Sequence, residues 1–129
     1  MNKVEQRKLW REELINAMQK LTKQGFRCFI VKNSDYVYGN IITPSDNVLY
    51  VQWEWIGWRF SFCYVPSRNN GSGCRCIKQA FPEVNASVVL QNEQEGLAHA
   101  RKLKATLFKS SKDFFDAWHR ESLVEVLPE

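Results

Sequence analysis

The feature that most constrains the fold is a strict alternation of apolar and polar residues between positions 49 and 64. Its apolar members are Leu49, Val51, Trp53 and Trp55, followed by Trp58, Phe60, Phe62 and Tyr64. Because successive side chains of a strand point to opposite faces, this period of two predicts two strands that share one almost wholly aromatic face. Only Ile56 and Gly57 separate them, and so short a connection is typical of a hairpin. A face this apolar must be covered by other elements.

The flanking segments extend this hairpin into a larger sheet. The four predicted strands are 26–32, 36–42, 48–55 and 58–65. Residues 74–77 form a short fifth strand if the sheet has five strands and not four. The short connections between them are rich in Pro, Gly, Asn and Asp, which favours an antiparallel meander. A chain of 129 residues suits one compact domain.

One helix is predicted before the sheet. Apolar residues recur there at helical spacing, and they are Trp10, Leu14, Met18 and Leu21. Gly25 follows the last of them, and a glycine at this place is a common helix terminator because it adopts the left-handed conformation without strain. The first helix therefore lies within residues 1–25.

Two helices are predicted after the sheet. Asn92 with Glu95 three residues later forms a capping-box pattern, which predicts a helix from Asn92 to about Lys109. Its expected inward residues are Leu97, Ala100, either Leu103 or the stem of Lys104, and Leu107. A serine at 110–111 begins the last helix, and 123–129 is a short tail.

These elements predict an α+β domain. Its parts are an N-terminal helix in 1–25, an antiparallel meander sheet of four or five strands in 26–78, two C-terminal helices in 92–121 packed on the aromatic sheet face, and a tail in 122–129. With 44% apolar residues, the chain has the material for a packed core. No run approaches the roughly 18 apolar residues of a membrane span, and the first residues are too polar for a signal peptide, so we expect a cytoplasmic protein.

The four cysteines and two histidines do not predict a metal site. The single close cysteine pair is Cys74 and Cys76, separated by one residue, while His99 and His119 lie far along the chain. Structural zinc usually takes two ligand pairs with wider internal spacing. We expect reduced thiols, no metal and no cofactor.

Catalysis is not expected either. Cys63 or Cys74 can be drawn beside a histidine in any chain of this composition, and nothing in the spacing positions a base. The pair Gly71 and Gly73 is reminiscent of a phosphate-binding loop, but such loops lead into a helix, and the next residues have strand character. An unusually reactive thiol would be needed to favour an enzyme.

Charge is distributed unevenly along the chain. The formal net charge is +4, from 18 Lys and Arg against 14 Asp and Glu. Residues 55–82 contain four basic residues and no acidic residue, so this segment holds the entire excess. Arginines beside aromatic rings suit phosphate groups, nucleobases or an acidic protein surface. The predicted binding residues are Arg59, Tyr64, Arg68, Asn69, Asn70, Arg75 and Lys78.

One part of this region resembles a known group of proteins. Tyr50-Val51-Gln52, the aromatic hairpin, and the segment from Pro66-Ser67-Arg68 to Gly71-Ser72-Gly73 resemble a loose group of small proteins encoded by bacteriophages, prophages and plasmids. Val65 stands where that group often has Lys, and Cys74-Arg75-Cys76 departs from its pattern. The resemblance implies a mobile-element setting, in which small proteins often inhibit CRISPR or restriction systems by binding them.

Two functions follow as predictions. The first is a non-enzymatic counter-defence inhibitor of the anti-CRISPR type, which docks through the basic segment on a defence protein complex of the bacterial host, either on an acidic patch or in a channel that normally holds nucleic acid. The alternative is a module that binds DNA or RNA directly, with arginines on phosphates and an exposed ring on bases. The five tryptophans exceed the needs of a core this size, so an uncovered one would mark an interface.

Overall fold

The computed structural model describes residues 1–32, 35–66, 74–76, 79–118 and 122–129, with the backbone alone for 74–76. Its elements are α1 (Lys3–Thr22), β1 (Arg27–Val31), β2 (Tyr38–Ile42), β3 (Val48–Glu54), β4 (Gly57–Cys63), β5 (Cys74–Cys76), α2 (Ala86–Lys102), α3 (Ser111–Ala117) and β6 (Leu123–Val126). The predicted α+β class, with one antiparallel sheet, is confirmed. Among these residues no helix is both long and apolar enough to cross a bilayer.

The sheet has the order β5-β4-β3-β2-β1-β6, and every pairing is antiparallel. The first five strands form the predicted meander. In the β3–β4 hairpin Val51 lies opposite Phe60 and Trp53 lies opposite Trp58, so the apolar positions of the two strands fall on one face as their alternation predicts.

The two faces of the sheet are covered differently. The face that carries Ile41, Leu49 and Phe60, here called the helix face, packs against α1 and α2 and forms the main core. The opposite face, here called the open face, is covered at one end by α3, where Phe114 packs against Ile42, Val48 and Cys63. The expectation that both C-terminal helices share the aromatic face is therefore wrong for α3. The physical reason is that the open face carries buried apolar side chains of its own at this end, and α3 packs against them.

The predicted N-terminal helix is confirmed. Leu14, Met18 and Leu21 are buried against the sheet, and Gly25 follows the helix with a φ of +90°. The last helix also begins where predicted, because the Ser110 side chain accepts a hydrogen bond from the backbone N–H of Asp113.

The second helix begins earlier than predicted and ends earlier. Its N-cap is Asn85, whose side chain accepts a hydrogen bond from Val88 N at 3.0 Å. Asn92 lies instead inside the helix, fully buried, and donates to Val88 O at 2.8 Å. The helix ends at Lys102, seven residues short of Lys109. Its buried residues are Val89, Asn92, Glu93, Gly96 and Ala100, whereas Leu103 and Leu107 are exposed.

The predicted tail contains a sixth strand. Residues Leu123–Val126 pair with β1, with Val126 opposite Cys28, and Arg27 forms an ion pair with Glu125 at 3.1 Å. Val126 is buried in the main core. The segment is therefore part of the sheet, because it pairs with β1 and Val126 adds to the main core.

Candidate functional site

The predicted binding residues are described to different extents. Arg68, Asn69, Asn70 and Lys78 lie outside the described residues. Arg75 is described by its backbone, which lies in β5 opposite Phe62. Arg59 and Tyr64 are described with their side chains, and both differ from the expected arrangement.

Tyr64 lies in the main core and is 8% exposed. An aromatic ring stacks on a base only if one of its faces is open to solvent. This burial corrects the prediction that Tyr64 contributes to a binding surface. Its ring continues the apolar alternation of β4 and therefore packs in the main core.

Arg59 lies on the open face of the sheet, as its alternation with Trp58 and Phe60 predicts. Its Nε is 2.9 Å from Glu54 Oε2, and both side chains are partly exposed. Arg59 is the first arginine of the acid-free segment 55–82, and it pairs with Glu54, the residue immediately before that segment. A partly exposed ion pair contributes only about 0–1 kcal/mol, so an anionic ligand can compete with it at small cost.

A groove lies beside this pair, at the edge of the sheet where β3 ends and β2 and β4 begin. It encloses about 630 Å³ and is called here the aromatic groove. Its lining residues are Tyr36, Val37, Tyr38, Tyr50, Gln52, Trp53, Glu54, Trp55, Ile56 and Arg59. Tyr36, Trp55 and Ile56 are 74%, 68% and 71% exposed. Large side chains this exposed and this close together are typical of binding sites.

Trp55 stands on a row of tryptophans that leads into the core. It meets Trp10 edge to face at 5.8 Å between ring centroids, Trp10 lies 4.6 Å from Trp53, and Trp53 lies 5.0 Å from Trp58. The buried Trp58 donates from Nε1 to Glu13 at 3.3 Å. The exposed ring is therefore held by packed neighbours, which lowers the entropy that a ligand must remove to order it.

A second groove, called here the basic groove, lies between α1 and the end of β1. It encloses about 540 Å³ and is lined by Val4, Arg7, Lys8, Arg11, Lys32, Asp35 and Val37. The set contains four cationic side chains and one carboxylate. Arg7 lies 4.0 Å from Asp35, whose side chain is 90% exposed, so the one acidic residue is weakly held.

Helical spacing places three basic residues of α1 together. Val4, Arg7, Lys8 and Arg11 stand at positions i, i+3, i+4 and i+7, which form one stripe of a helix. The acidic residues Glu12 and Glu13 follow a different stripe and line another groove, with Glu83. Arg11 donates from Nη2 to the backbone carbonyls of Val31 and Lys32, the latter at 2.9 Å, so its guanidinium is fixed at the end of β1.

The two grooves meet. A small cleft between them is lined by Arg7, Trp10, Asp35, Tyr36, Val37, Trp53 and Trp55, and Val37 lines all three concavities. Together they form one continuous surface, called here the aromatic–basic surface, which joins the open face to the N-terminal half of α1. A count of charges along the chain does not reveal the basic part of this surface, because its cations alternate with acidic residues in sequence. The helical spacing of these cations is the signal that reveals it.

The Cys28 thiol and the Glu93 carboxylate, two further reactive groups in the described part of the chain, are buried. Burial raises the pKa of the Cys28 thiol to about 12. The carboxylate of Glu93 is buried and accepts hydrogen bonds from Thr43 Oγ1 and, at 3.0 Å, from Asn47 Nδ2, which ties α2 to the β2–β3 connection. No group of three or more His, Cys, Asp or Glu arranged for a metal ion occurs in the part of the chain that the structure describes.

Comparison with known proteins gives no assignment. No protein-family model matches the chain, and neither a curated protein nor a solved structure is significantly similar to it.

Proposed function

We propose that this protein is a binding module for single-stranded nucleic acid, and that its binding site is the aromatic–basic surface. The observation that carries the proposal is the continuity of exposed aromatic rings with a cluster of cations. Proteins that bind single strands combine rings on which bases stack with a positively charged path for the backbone. The alternative function predicted from the sequence is thus retained, on a different surface.

The aromatic part is suited to unpaired bases. Tyr36 and Trp55 are the most exposed rings of the aromatic groove, and Trp55 is braced by Trp10. Every base has a π-face, whereas a base within a duplex has both faces covered by its neighbours. The exposed rings therefore favour a single strand over a duplex.

The cationic part is suited to phosphates. Arg7, Lys8, Arg11 and Lys32 line the basic groove, and Lys3 Nζ lies 5.7 Å from the Trp55 ring centroid, at the border with the aromatic groove. A strand whose bases stack on Tyr36 and Trp55 has its phosphates within the field of these cations. The Glu54–Arg59 pair adds a guanidinium that a phosphate can recruit from its carboxylate.

The first test measures how much the exposed aromatic rings contribute to oligonucleotide affinity. We expect a labelled oligonucleotide of about ten nucleotides, within the usual site size, to bind the protein in a fluorescence-anisotropy titration. Trp55→Ala and Tyr36→Ala should each raise Kd roughly 5- to 150-fold, the loss of about 1–3 kcal/mol of stacking. Leu127→Ala is the matched control, since Leu127 is equally exposed but lies beyond β6. Equal affinity in wild type and both ring variants contradicts the proposed site.

The second test measures how much the cations contribute, through the salt dependence of binding. If four phosphates are neutralised, the logarithm of the binding constant should fall with the logarithm of salt concentration with a slope of about −3. Lys8→Gln should make this slope shallower by about 0.7. A protein that binds neither DNA nor RNA at low salt overturns the proposed function.

A second candidate is the counter-defence inhibitor predicted from the sequence. The observation that favours it is Ile56, an aliphatic side chain 71% exposed beside Trp55. Bases stack on rings and gain less from an aliphatic side chain, whereas protein interfaces bury both kinds. Ile56→Asp should abolish co-purification with an identified subunit of a bacterial defence system, because it places a charge in the apolar part of the interface. Failure to recover any such subunit counts against the inhibitor.

A further inference from the structure

We propose that the basic groove is a site for a terminal phosphate, so that the protein binds the phosphorylated end of a strand more tightly than its interior. This inference rests on the proposed function and deepens it, because it names the part of the nucleic acid that the basic groove takes. The shared ligand chemistry is a phosphate monoester, whether at a 5′ or a 3′ end.

The charge in the groove exceeds what one internal phosphate requires. Four cations and one carboxylate line it, and an internal phosphodiester carries a single negative charge. A terminal phosphate monoester carries about −1.5 to −2 at neutral pH and offers three strong acceptor oxygens. The dianion therefore gains more from this set of donors than the backbone does.

One of the donors is already fixed in place. Two backbone carbonyls at the end of β1, those of Val31 and Lys32, hold the Arg11 guanidinium through Nη2. A planar guanidinium has five N–H donors, so this anchoring leaves others for a ligand. A donor held before binding loses less entropy when it meets its ligand. Arg7 is displaced from Asp35 at little cost, because that contact is long and exposed.

The position of the groove favours a chain end. It is joined to the aromatic groove by the cleft that Trp10, Tyr36 and Trp55 line, and Val4 and Val37 form its apolar walls. A strand whose terminal base stacks on Tyr36 or Trp55 brings its terminal phosphate to Arg7 and Lys8. The same arrangement gives the terminal nucleotide both a ring for the base and cations for the phosphate.

The experiment compares three oligonucleotides of one sequence, about ten nucleotides long, with a 5′-phosphate, a 3′-phosphate or no terminal phosphate. We expect one phosphorylated end to lower Kd about tenfold, the equivalent of one hydrogen bond between charged groups. The double variant Arg7→Gln, Lys8→Gln should remove this preference. Lys20→Gln, Lys23→Gln is the matched control, because it removes the same charge at the other end of α1, where both lysines are exposed.

The outcomes separate the two proposals. Loss of the preference in the Arg7, Lys8 variant and its retention in the control support the terminal site, provided that circular dichroism shows both variants folded. Equal affinity for the three oligonucleotides, or a preference that survives in the Arg7, Lys8 variant, overturns the terminal site and leaves the proposed function standing. If no oligonucleotide binds, the proposed function fails, and titration with a nucleoside monophosphate decides the groove: saturable binding lost in the Arg7, Lys8 variant supports the site, and none overturns it.

Discussion

Gly96 is where α2 comes closest to the sheet, and it gives the sharpest test of the packing. A Cβ added there would lie 2.3 Å from both Cβ and Cγ of Phe62, whereas ordinary contact begins near 3.4 Å. Phe62 is fully buried, so its ring has no free space to enter. Gly96→Ala therefore requires α2 to move away from β4 by about 1 Å, in a core packed as densely as an organic crystal.

Two opposing terms set the size of the effect. Overpacking a core costs about 1–3 kcal/mol, and a clash this close with a fully buried ring belongs at the upper end, about 2–3 kcal/mol. Alanine in place of glycine within a helix stabilises the helix by about 1 kcal/mol. We therefore expect Gly96→Ala to lower the free energy of unfolding by about 1–2 kcal/mol and the melting temperature by roughly 4–8 °C.

The assay is thermal and urea denaturation followed by circular dichroism. Gln94→Ala is the matched control, because Gln94 lies on the exposed side of the same helix and its substitution should change stability by less than about 0.5 kcal/mol. If Gly96→Ala is as stable as the wild type, or more stable, the close approach of α2 to Phe62 is wrong.

Three further predictions concern other parts of the fold. Asn85→Ala removes the cap of α2 and should lower the free energy of unfolding in urea by about 1 kcal/mol; an unchanged value means that the helix begins elsewhere. Hydrogen bonds from the Ser111 side chain and backbone hold the pKa of Asp46 below its ordinary value of 3.8, so the carboxylate stabilises the fold above pH 3.8 and this contribution is lost as pH falls through the lower, folded-state pKa. Asp46→Asn should thus be less stable than wild type at neutral pH, with the difference shrinking in acid melts, and parallel curves contradict this. Burial raises the pKa of Cys28 to about 12, so its thiol should resist alkylation in the native protein at neutral pH, as peptide mass spectrometry measures; rapid modification contradicts the burial.

The central strands were predictable from sequence because their information is local. Alternation, aromatic and β-branched residues and short polar turns all occur within the segments themselves. The predicted strands 48–55 and 58–65 thus differ from Val48–Glu54 and Gly57–Cys63 by one or two residues at their ends. Helix α1 was predictable for the same reason, since its buried stripe and its glycine terminator are contiguous.

Elements that depend on distant partners were not predictable. Only four residues form β6, and what makes them a strand is the pairing with β1, about a hundred positions earlier in the chain. The start of α2 was misplaced because Asn92 has a glutamate three residues later and Asn85 does not. Tertiary packing decides between them, since Asn92 is buried on the side of α2 that faces the core.

The proposed binding surface was predictable only in part. The expectation that a surplus tryptophan marks an interface agrees with the exposure of Trp55, which contributes to the proposed site. Counting charges along the chain could not show that Glu54 pairs with Arg59. Nor could it show that Arg7, Lys8 and Arg11 line a different groove from Glu12 and Glu13. Those facts belong to the folded surface, where neighbours in space are not neighbours in sequence.

Binding of a single strand at the aromatic–basic surface can be observed residue by residue in an NMR titration of the ¹⁵N-labelled protein with a single-stranded oligonucleotide. We expect the largest shift changes at the amides of Lys8, Lys32 and Tyr36 and at the indole N–H of Trp55, while Val124 and Leu127 stay unchanged. Shift changes confined to residues 66–78 would contradict the aromatic–basic surface and restore the arginine segment predicted from the sequence. The absence of any change would contradict nucleic-acid binding itself.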